Sequence, residues 1–141
     1  MHIEKVIKLA IQDGARLLLG GKRKDNFIYP TVLDMVNPKS QIVKKETFGP
    51  VAPIIRINNL DEAISIANST VYGLSDAICT NNISNALRVA KKIKTGMLVI
   101  NEAPGFRIES IPFGGVKKSG LGKEGIKYAV REMSDMKTIL I

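Results

Sequence analysis

A glycine-rich stretch at residues 112–125 constrains the fold more than any other part of the chain. Five of its fourteen residues are glycine, far above ordinary usage. Glycine permits positive φ angles and lets other atoms approach the backbone closely. A flexible linker is not favoured, because Phe113, Val116 and Leu121 would stay exposed to water in one. The glycine spacing matches no phosphate-binding loop, so the stretch predicts either a plain connector between a strand and a helix or a tightly folded path beside a site.

The composition indicates one soluble domain. The chain has 141 residues, of which 45% are apolar, enough for a single domain with a modest core. No apolar run is long enough to cross a bilayer, and the first residues do not resemble a signal peptide. Cys79 is the only cysteine, so no internal disulfide framework is expected and a reducing compartment is favoured. We therefore expect a soluble cytoplasmic protein with no membrane partner.

The charge balance is strongly basic but does not point to nucleic acid. The net charge is +8, from 21 basic and 13 acidic residues, and such an excess favours anionic partners in general. The basic residues are scattered in short groups, and with three tyrosines, four phenylalanines and no tryptophan they form no platform for stacking bases. No DNA-reading motif is present. The charge therefore predicts a solvated surface, and a nucleic-acid-binding domain is the weakest of the alternatives below.

Hydrophobic periodicity predicts alternating helices and strands. Apolar residues at helical spacing indicate helices near residues 3–11, 60–67, 83–93 and 126–133. Short β-prone runs indicate strands near residues 17–19, 27–36, 51–57, 77–80, 97–100 and 136–141. Because strands and helices alternate, we predict the α/β class, with a largely parallel sheet and flanking helices.

Single residues refine this prediction at the ends and faces of the elements. Gly14 is placed to end the first helix, and Asn59 and Asn82 to cap the next two at their N-termini. Pro30 and Pro53 place their strands at an edge or a break of the sheet, because proline has no N–H to donate. The apolar faces expected to be buried on the last two helices are Ile83, Ala86, Leu87 and Ala90 on one, and Ile126, Ala129, Val130 and Met133 on the other.

Glu46 begins an irregular segment, Glu46-Thr-Phe-Gly-Pro50, between two predicted strands. A carboxylate in such a segment can accept paired hydrogen bonds from the vicinal hydroxyls of a ribose. It can equally be an ordinary surface corner. On spacing alone the corner is favoured.

Several motifs taken together resemble the aldehyde dehydrogenase superfamily, in its order and spacing. The resemblance covers nearly the whole chain and rests on Asp13-Gly14-Ala15, Gly20-Gly21, Tyr29-Pro-Thr-Val-Leu33, Glu46-Thr-Phe-Gly-Pro50, Ala67-Asn68, Tyr72-Gly-Leu-Ser75, Gly96 with Val99-Ile-Asn101, Pro112-Phe-Gly-Gly-Val-Lys117 and Ser119-Gly120.

The resemblance implies part of an enzyme. In that family a cysteine thiolate attacks an aldehyde, a hydride passes to NAD or NADP, and water assisted by a glutamate releases the acid. The nucleophile, that glutamate and the dinucleotide-binding domain correspond to family positions upstream of this sequence. Residues 1–135 thus resemble the C-terminal part of the catalytic domain, and residues 136–141 resemble an oligomerisation strand. The implied partners are the missing N-terminal half, a small aldehyde and further copies of the chain.

The resemblance also assigns roles to single residues. Glu46 matches the residue that holds the nicotinamide ribose, and Phe48 matches the one beside the nicotinamide. Phe113 matches an aromatic wall of the aldehyde pocket. Asn101 is expected to order its loop through side-chain hydrogen bonds, and Lys117, Ser119 and the glycines look structural.

The loop of residues 101–109 is the least generic part of the chain. Through Phe106 and Arg107 it looks similar to family members acting on small hydroxylated or phosphorylated aldehydes, such as lactaldehyde and non-phosphorylating glyceraldehyde-3-phosphate dehydrogenases. A guanidinium there can form a forked contact with a phosphate or carboxylate. The alternative is a surface pair of Arg107 with Glu102 or Glu109.

Cys79 is rejected as a nucleophile. It lies in a short apolar strand with no histidine or acidic residue at motif spacing, and we expect it to be a small buried hydrophobe. His2, the only histidine, offers neither a base nor a metal site at the terminus, and no metal site is predicted.

Three hypotheses for function follow. The first is the C-terminal segment of an NAD(P)-dependent aldehyde dehydrogenase, inactive alone. The second is a free-standing, non-catalytic binding or scaffold protein with this fold. The third is a basic nucleic-acid-binding domain.

Overall fold

The computed structural model describes residues 2–141 of the chain. By their contacts the residues divide into two compact units, Met1–Ile66 and Ala67–Ile141. Each unit contains helices and paired strands, which confirms the α/β class. The division into residues 1–135 and a terminal strand stays a prediction.

The first unit carries the larger sheet. Its elements are α1 (His2–Gln12), β1 (Arg16–Leu19), β2 (Arg23–Lys24), β3 (Phe27–Ile28), β4 (Thr31–Asp34), α2 (Gln41–Lys44), β5 (Val51–Pro53) and the start of α3 (Leu60–Asn68). Strand β4 lies between β1, which is antiparallel to it, and β5, which is parallel. The short strands β2 and β3 form an antiparallel hairpin. The sheets are therefore mixed in direction rather than largely parallel.

Helix α1 packs on this sheet through the face that its periodicity predicts. Val6, Ile7 and Ala10 are buried and share a core with Leu33 of β4 and with Ala15, Val36 and Ile42. The helix ends as expected at Gly14, whose φ is +99°. The Gly14 amide donates to the Ile11 carbonyl (3.0 Å) and the Ala15 amide to the Ala10 carbonyl (2.9 Å), the paired bonds of a Schellman ending.

The two prolines of this unit act as predicted, although one strand is divided. The extended segment expected over residues 27–36 is broken into β3 and β4, because Pro30 between them has no N–H to continue a ladder. Residues 23–24, which lie outside the predicted strands, pair as β2. Pro53 lies in β5, which is an edge strand of its sheet.

The second unit is built on one strand–helix–strand crossover. It contains the end of α3, then β6 (Ser75–Ile78), α4 (Ile83–Lys92), β7 (Met97–Ile100), a short 3-10 helix (Lys117–Ser119) and α5 (Ile126–Glu132). Strands β6 and β7 pair in parallel from Ser75↔Met97 to Ile78↔Ile100. Both predicted N-caps are confirmed: Asn59 Oδ1 accepts from the Glu62 amide (2.9 Å) and Asn82 Oδ1 from the Asn85 amide (3.1 Å).

The predicted buried face of α4 is confirmed only at Ala86, and that of α5 is wrong. Helix α4 buries Ala86 and Val89, whereas Ile83, Leu87 and Ala90 are exposed. Helix α5 buries no residue, and Ile126 is 88% exposed. An apolar face is therefore not sufficient for burial, because burial also needs an element that packs against that face.

The strand predicted for residues 136–141 is not formed. Met136 is 97% exposed and Leu140 93% exposed, and no strand of residues 2–141 lies beside them. A β-strand is defined by hydrogen bonds to a neighbour, so a β-prone sequence without one stays unpaired. No helix within residues 2–141 combines the length and apolarity needed to cross a bilayer.

Candidate functional site

The glycine-rich stretch is a closed loop held at its ends. The Phe113 amide donates to the Glu124 carbonyl (3.2 Å), and the Glu124 amide donates back to the Phe113 carbonyl (2.6 Å). The two residues thus form an isolated antiparallel bridge. This bridge fixes Phe113, the predicted wall of the aldehyde pocket, at the base of the loop.

Glycine is required where this loop meets strand β7. A Cβ added to Gly96 would lie 1.7 Å from the Gly114 carbonyl oxygen, far inside any real contact distance. The backbone next to Phe113 therefore rests directly on the backbone that begins β7. Of the two interpretations of residues 112–125, the tightly folded path is the one observed.

The loop is also tied to the end of helix α3. The Lys117 ammonium donates to the carbonyls of Asn68 (3.2 Å) and Thr70 (3.1 Å), and the Ser119 hydroxyl accepts from the Gly73 amide (2.9 Å). A lysine that binds the last carbonyls of a helix also interacts favourably with the negative end of its dipole. Lys117 has a φ of +57°, which is uncommon for a residue with a side chain. Both residues are structural, as the resemblance implies.

A depression of about 370 Å³ opens beside this loop. Phe113, Leu74 and Met133 give it an apolar side, and Glu124 and Glu132 line it with carboxylates. The Lys123 ammonium donates to the Gly114 carbonyl at 2.7 Å. The depression therefore combines an aromatic wall with charged groups, which is the general character of a small-ligand site.

Arg107 and Phe113, both predicted for the substrate site, lie together. The guanidinium carbon of Arg107 is 4.7 Å from the centroid of the Phe113 ring. One guanidinium nitrogen, Nη2, donates to Glu124 Oε2 at 3.1 Å. The acidic partner is thus Glu124 rather than Glu102 or Glu109. Sequence spacing gave no signal for this pair, because seventeen positions separate the two residues.

Phe106 lies immediately before Arg107, in the same loop. Its amide donates to the Ala103 carbonyl (3.0 Å), which closes a turn, and half of its side chain is exposed. Its role as a substrate contact stays a prediction.

Asn101 orders the start of this loop, as predicted. Its side-chain Oδ1 accepts from the Thr80 amide (2.7 Å), and its Nδ2 donates to the Thr80 carbonyl (2.9 Å). Its φ is +60°. Further along, the Pro104 carbonyl accepts from the Ser75 hydroxyl (2.5 Å).

Glu46 and Phe48 belong to the first unit, in the extended segment that follows α2. Phe48 is 84% exposed, and Glu46 is exposed with no hydrogen bond or ion pair to another described residue. The backbone of this segment lies close to α1 at Gly49, since a Cβ on Gly49 would lie 2.5 Å from the side chain of Ile3. A free carboxylate and an uncovered ring fit a ribose and a nicotinamide face, and the assignment stays a prediction.

Cys79 is exposed, so the prediction of a buried cysteine is wrong. It directly follows Ile78, the last residue of β6, at the point where the chain leaves the sheet. Its rejection as a nucleophile stays a prediction. His2 lies in α1, and residues 2–141 contain no group of three or more histidine, cysteine, aspartate or glutamate side chains arranged to hold a metal ion.

The first unit also contains a buried carboxylate that the sequence did not reveal. Asp34, 1% exposed, accepts from Arg56 Nε (2.8 Å) and Nη2 (3.0 Å), from Arg16 Nη2 (3.0 Å) and from the Met35 amide (2.8 Å). The Arg56 hydrogen bond, the Met35 amide and Arg16 hold the pKa of this carboxyl far below its usual range, against the opposing effect of burial. The arginines lie 18 and 22 positions away in sequence, too far for a spacing rule.

Comparison with known proteins gives a consistent result. A model of the aldehyde dehydrogenase family matches residues 1–139. The chain is 54% identical over 139 residues to a lactaldehyde dehydrogenase of Methanocaldococcus jannaschii, covering 99% of this chain and 30% of that protein. It is 45% identical over 140 residues to a sulfoacetaldehyde dehydrogenase of Neptuniibacter caesariensis, covering 99% and 31%.

Solved structures agree with these relatives. The glyceraldehyde-3-phosphate dehydrogenase of M. jannaschii complexed with NADP superposes with a TM-score of 0.92 at 53% identity, over 99% of this chain and 30% of that one. An aldehyde dehydrogenase of Mycobacterium tuberculosis complexed with NAD⁺ superposes with a TM-score of 0.89 at 36% identity, over 99% and 29%. The chain therefore spans about 30% of the length of the relatives it matches.

Proposed function

The chain belongs to the aldehyde dehydrogenase family, and we propose that it supplies the C-terminal part of the catalytic domain of an NAD(P)-dependent enzyme that oxidises an aldehyde to a carboxylic acid. The observation that carries the proposal is the family match over residues 1–139. Because the chain spans about 30% of its relatives, the activity is proposed for the chain together with residues that correspond to the rest of them.

Glu46 and Phe48 are proposed to contact the dinucleotide. The dinucleotide, when bound, accepts the hydride. Glu46 has no partner among the described residues, so its carboxylate is free to accept hydrogen bonds from two vicinal hydroxyls. Phe48 offers an exposed ring against which a flat heterocycle can pack. Relatives complexed with NADP and with NAD⁺ support either cofactor.

Phe113, Arg107 and Phe106 are proposed to bind the aldehyde. Phe113 gives an apolar wall for the carbon chain. A guanidinium has five N–H groups, and only one nitrogen of Arg107 has an acceptor among the described residues, so the others remain for an anionic group of the substrate. The names of two relatives, a sulfoacetaldehyde and a glyceraldehyde-3-phosphate dehydrogenase, support a small aldehyde with a negative charge.

The chain alone is proposed to be inactive. A nucleophilic thiol needs a base or a positive environment to form a thiolate. Cys79, the only cysteine, is exposed, and no base is bonded to it among the described residues. The attacking cysteine is therefore expected in the part of the enzyme that corresponds to the rest of the relatives, and a reducing, cytoplasmic location suits such a thiol.

Residues 136–141 are proposed to associate with another chain or another segment. The segment is β-prone, and its apolar side chains Met136, Ile139, Leu140 and Ile141 are all exposed. An unpaired strand sequence of this kind is a template for pairing. The proposed partners are a second copy of the chain and the N-terminal part of the enzyme.

The test joins the chain to the part of a relative that it does not cover. The M. jannaschii lactaldehyde dehydrogenase supplies the part that the match does not cover, and the 141 residues replace the matched part in one polypeptide, here called the joined enzyme. We expect reduction of NAD⁺ or NADP⁺ with short aldehydes by the joined enzyme and none by the 141-residue chain. A folded joined enzyme that oxidises no aldehyde would favour the non-catalytic binding or scaffold alternative. Turnover by the chain alone, lost on Cys79→Ser, would refute the proposed division of roles.

A further inference from the structure

We propose that Asn101 is a positioning residue for the aldehyde site, because its side-chain amide sets the direction in which residues 102–111 leave the sheet and so places Arg107 over Phe113. The inference rests on the proposed function. Asn101 itself contacts neither of these two residues by any described hydrogen bond, so its effect passes through the loop.

The first argument is that the side-chain amide of Asn101 takes the place of a neighbouring strand as the hydrogen-bond partner of Thr80. Strands β6 and β7 pair up to Ile78↔Ile100, and the backbone N–H of Asn101 then donates to the Ile78 carbonyl at 2.8 Å. Beyond this point the chain turns away, yet Thr80 keeps both its N–H and its C=O paired, at 2.7 and 2.9 Å, with the Asn101 side chain. A side-chain amide can donate and accept at once, as a neighbouring backbone does.

The second argument is that few residues can occupy this position. The φ of +60° is costly for most side chains, and asparagine is among the few that adopt it readily. Glycine would accept the angle but lacks the amide. Aspartate would keep an acceptor for the Thr80 N–H but could not donate to the Thr80 carbonyl. The backbone angle and the hydrogen bonds thus demand the same residue.

The third argument is that the loop is fixed at a second point. The Ser75 hydroxyl, at the start of β6, donates to the Pro104 carbonyl at 2.5 Å. Since Thr80 lies just beyond the end of β6, the loop runs back along this strand from its end to its beginning. With two points fixed, Arg107 follows Pro104 by only three residues and reaches Phe113 with its guanidinium at 4.7 Å.

The first experiment measures hydrogen exchange in the 141-residue chain. Asn101→Gly keeps the backbone angle and removes both bonds to Thr80, so we expect the amides of Phe106 and Ile111, both bonded within the loop, to exchange roughly tenfold faster. Asn82→Ala is the matched control, because it removes the cap of the nearby helix α4 and should leave residues 102–111 unchanged. Unchanged exchange of these amides in Asn101→Gly would overturn the proposal.

The second experiment uses the joined enzyme. Asn101→Gly should raise the KM for the aldehyde roughly tenfold while the KM for the dinucleotide stays within about twofold, because the loss of two hydrogen bonds is confined to the loop. Asn101→Asp, which keeps one of the bonds, should give an intermediate value. A parallel rise of both KM values would indicate general loss of structure and count against the proposal. Absence of activity in the unsubstituted joined enzyme would instead count against the proposed function, and hydrogen exchange would still decide whether Asn101 holds the loop.

Discussion

Arg56 binds Asp34 through two nitrogens of its guanidinium. Nε donates to one carboxylate oxygen at 2.8 Å and Nη2 to the other at 3.0 Å. The carboxylate belongs to the last residue of β4 and is buried, while the arginine side chain is largely exposed. Such forked pairs are stronger and more directional than single contacts. The pair therefore joins residues 22 positions apart within the first unit.

This pair predicts acid sensitivity of the first unit. The pKa of Asp34 is lowered in the folded chain, chiefly by Arg56, whereas in the unfolded chain it is about 3.9. Below about pH 4 the unfolded state binds a proton that the folded state does not, so stability falls as the pH falls toward the folded pKa. Above that range the full contribution is present.

The measurement is the melting temperature by circular dichroism as a function of pH. Asp34→Asn should lower it at neutral pH and reduce its dependence on pH below about 4. Asp13→Asn, which removes a carboxylate from an exposed position, is the control and should keep that dependence. An unchanged acid profile in Asp34→Asn would show that other carboxylates control unfolding by acid.

Glu46→Gln in the joined enzyme should impair the use of the cofactor. One charge-assisted hydrogen bond to a ribose hydroxyl is worth about 1.5–3 kcal/mol, so the KM for the dinucleotide or the rate of hydride transfer should worsen at least tenfold. The melting temperature should not change, since Glu46 has no partner among the described residues. Asp135→Asn, at another exposed position, controls for the loss of charge. A change in melting temperature alone would mean that Glu46 is a surface corner.

Arg107→Ala in the joined enzyme should discriminate between substrates. Phosphorylated, sulfonated or carboxylated aldehydes should lose roughly ten- to a hundredfold in kcat/KM, the effect of a charge-assisted hydrogen bond, and neutral aldehydes much less. Arg131→Ala, at an exposed position of α5, removes the same charge and should affect neither group. Equal losses for charged and neutral aldehydes would mean that Arg107 only shapes its loop, through its contacts with Phe113 and Glu124.

Deletion of residues 136–141 should lower the association state of the chain. The intact chain is expected to be a dimer or larger in solution, because these residues expose apolar side chains on an unpaired, β-prone segment. Light scattering of the intact and the shortened chain measures this. Leu140→Lys is a milder variant, since a charge in an edge strand opposes pairing. A monodisperse monomer for the intact chain would contradict the expectation.

The sequence predicts local structure well because local rules determine it. The ending of α1 at Gly14 and the caps at Asn59 and Asn82 depend on residues close in sequence. The family resemblance adds a prediction of which residues contact the cofactor and the substrate. Hydrophobic periodicity gives no information on such contacts.

The failures concern what covers a surface. Leu87 and Ile126 have the spacing of buried residues but are exposed, because burial depends on a facing element and not on the helix itself. Cys79 is exposed for the same reason. The contacts of Asp34 with Arg56 and of Arg107 with Glu124 bring together residues distant in sequence, so only the folded chain reveals them.

The contact between Gly96 and Gly114 has a genetic consequence. Even alanine, the smallest replacement, would place its methyl carbon 1.7 Å from a carbonyl oxygen and displace the backbone beside Phe113. Codon 96 should therefore tolerate no missense change. In a deep mutational scan, all nineteen substitutions at this position should abolish activity. Codon 14 differs, because nothing lies within 4 Å of an added Cβ there and only the backbone angle of +99° opposes a side chain. Asparagine should be the best tolerated replacement at that codon, so the two columns of one scan would separate a glycine needed for space from a glycine needed for conformation.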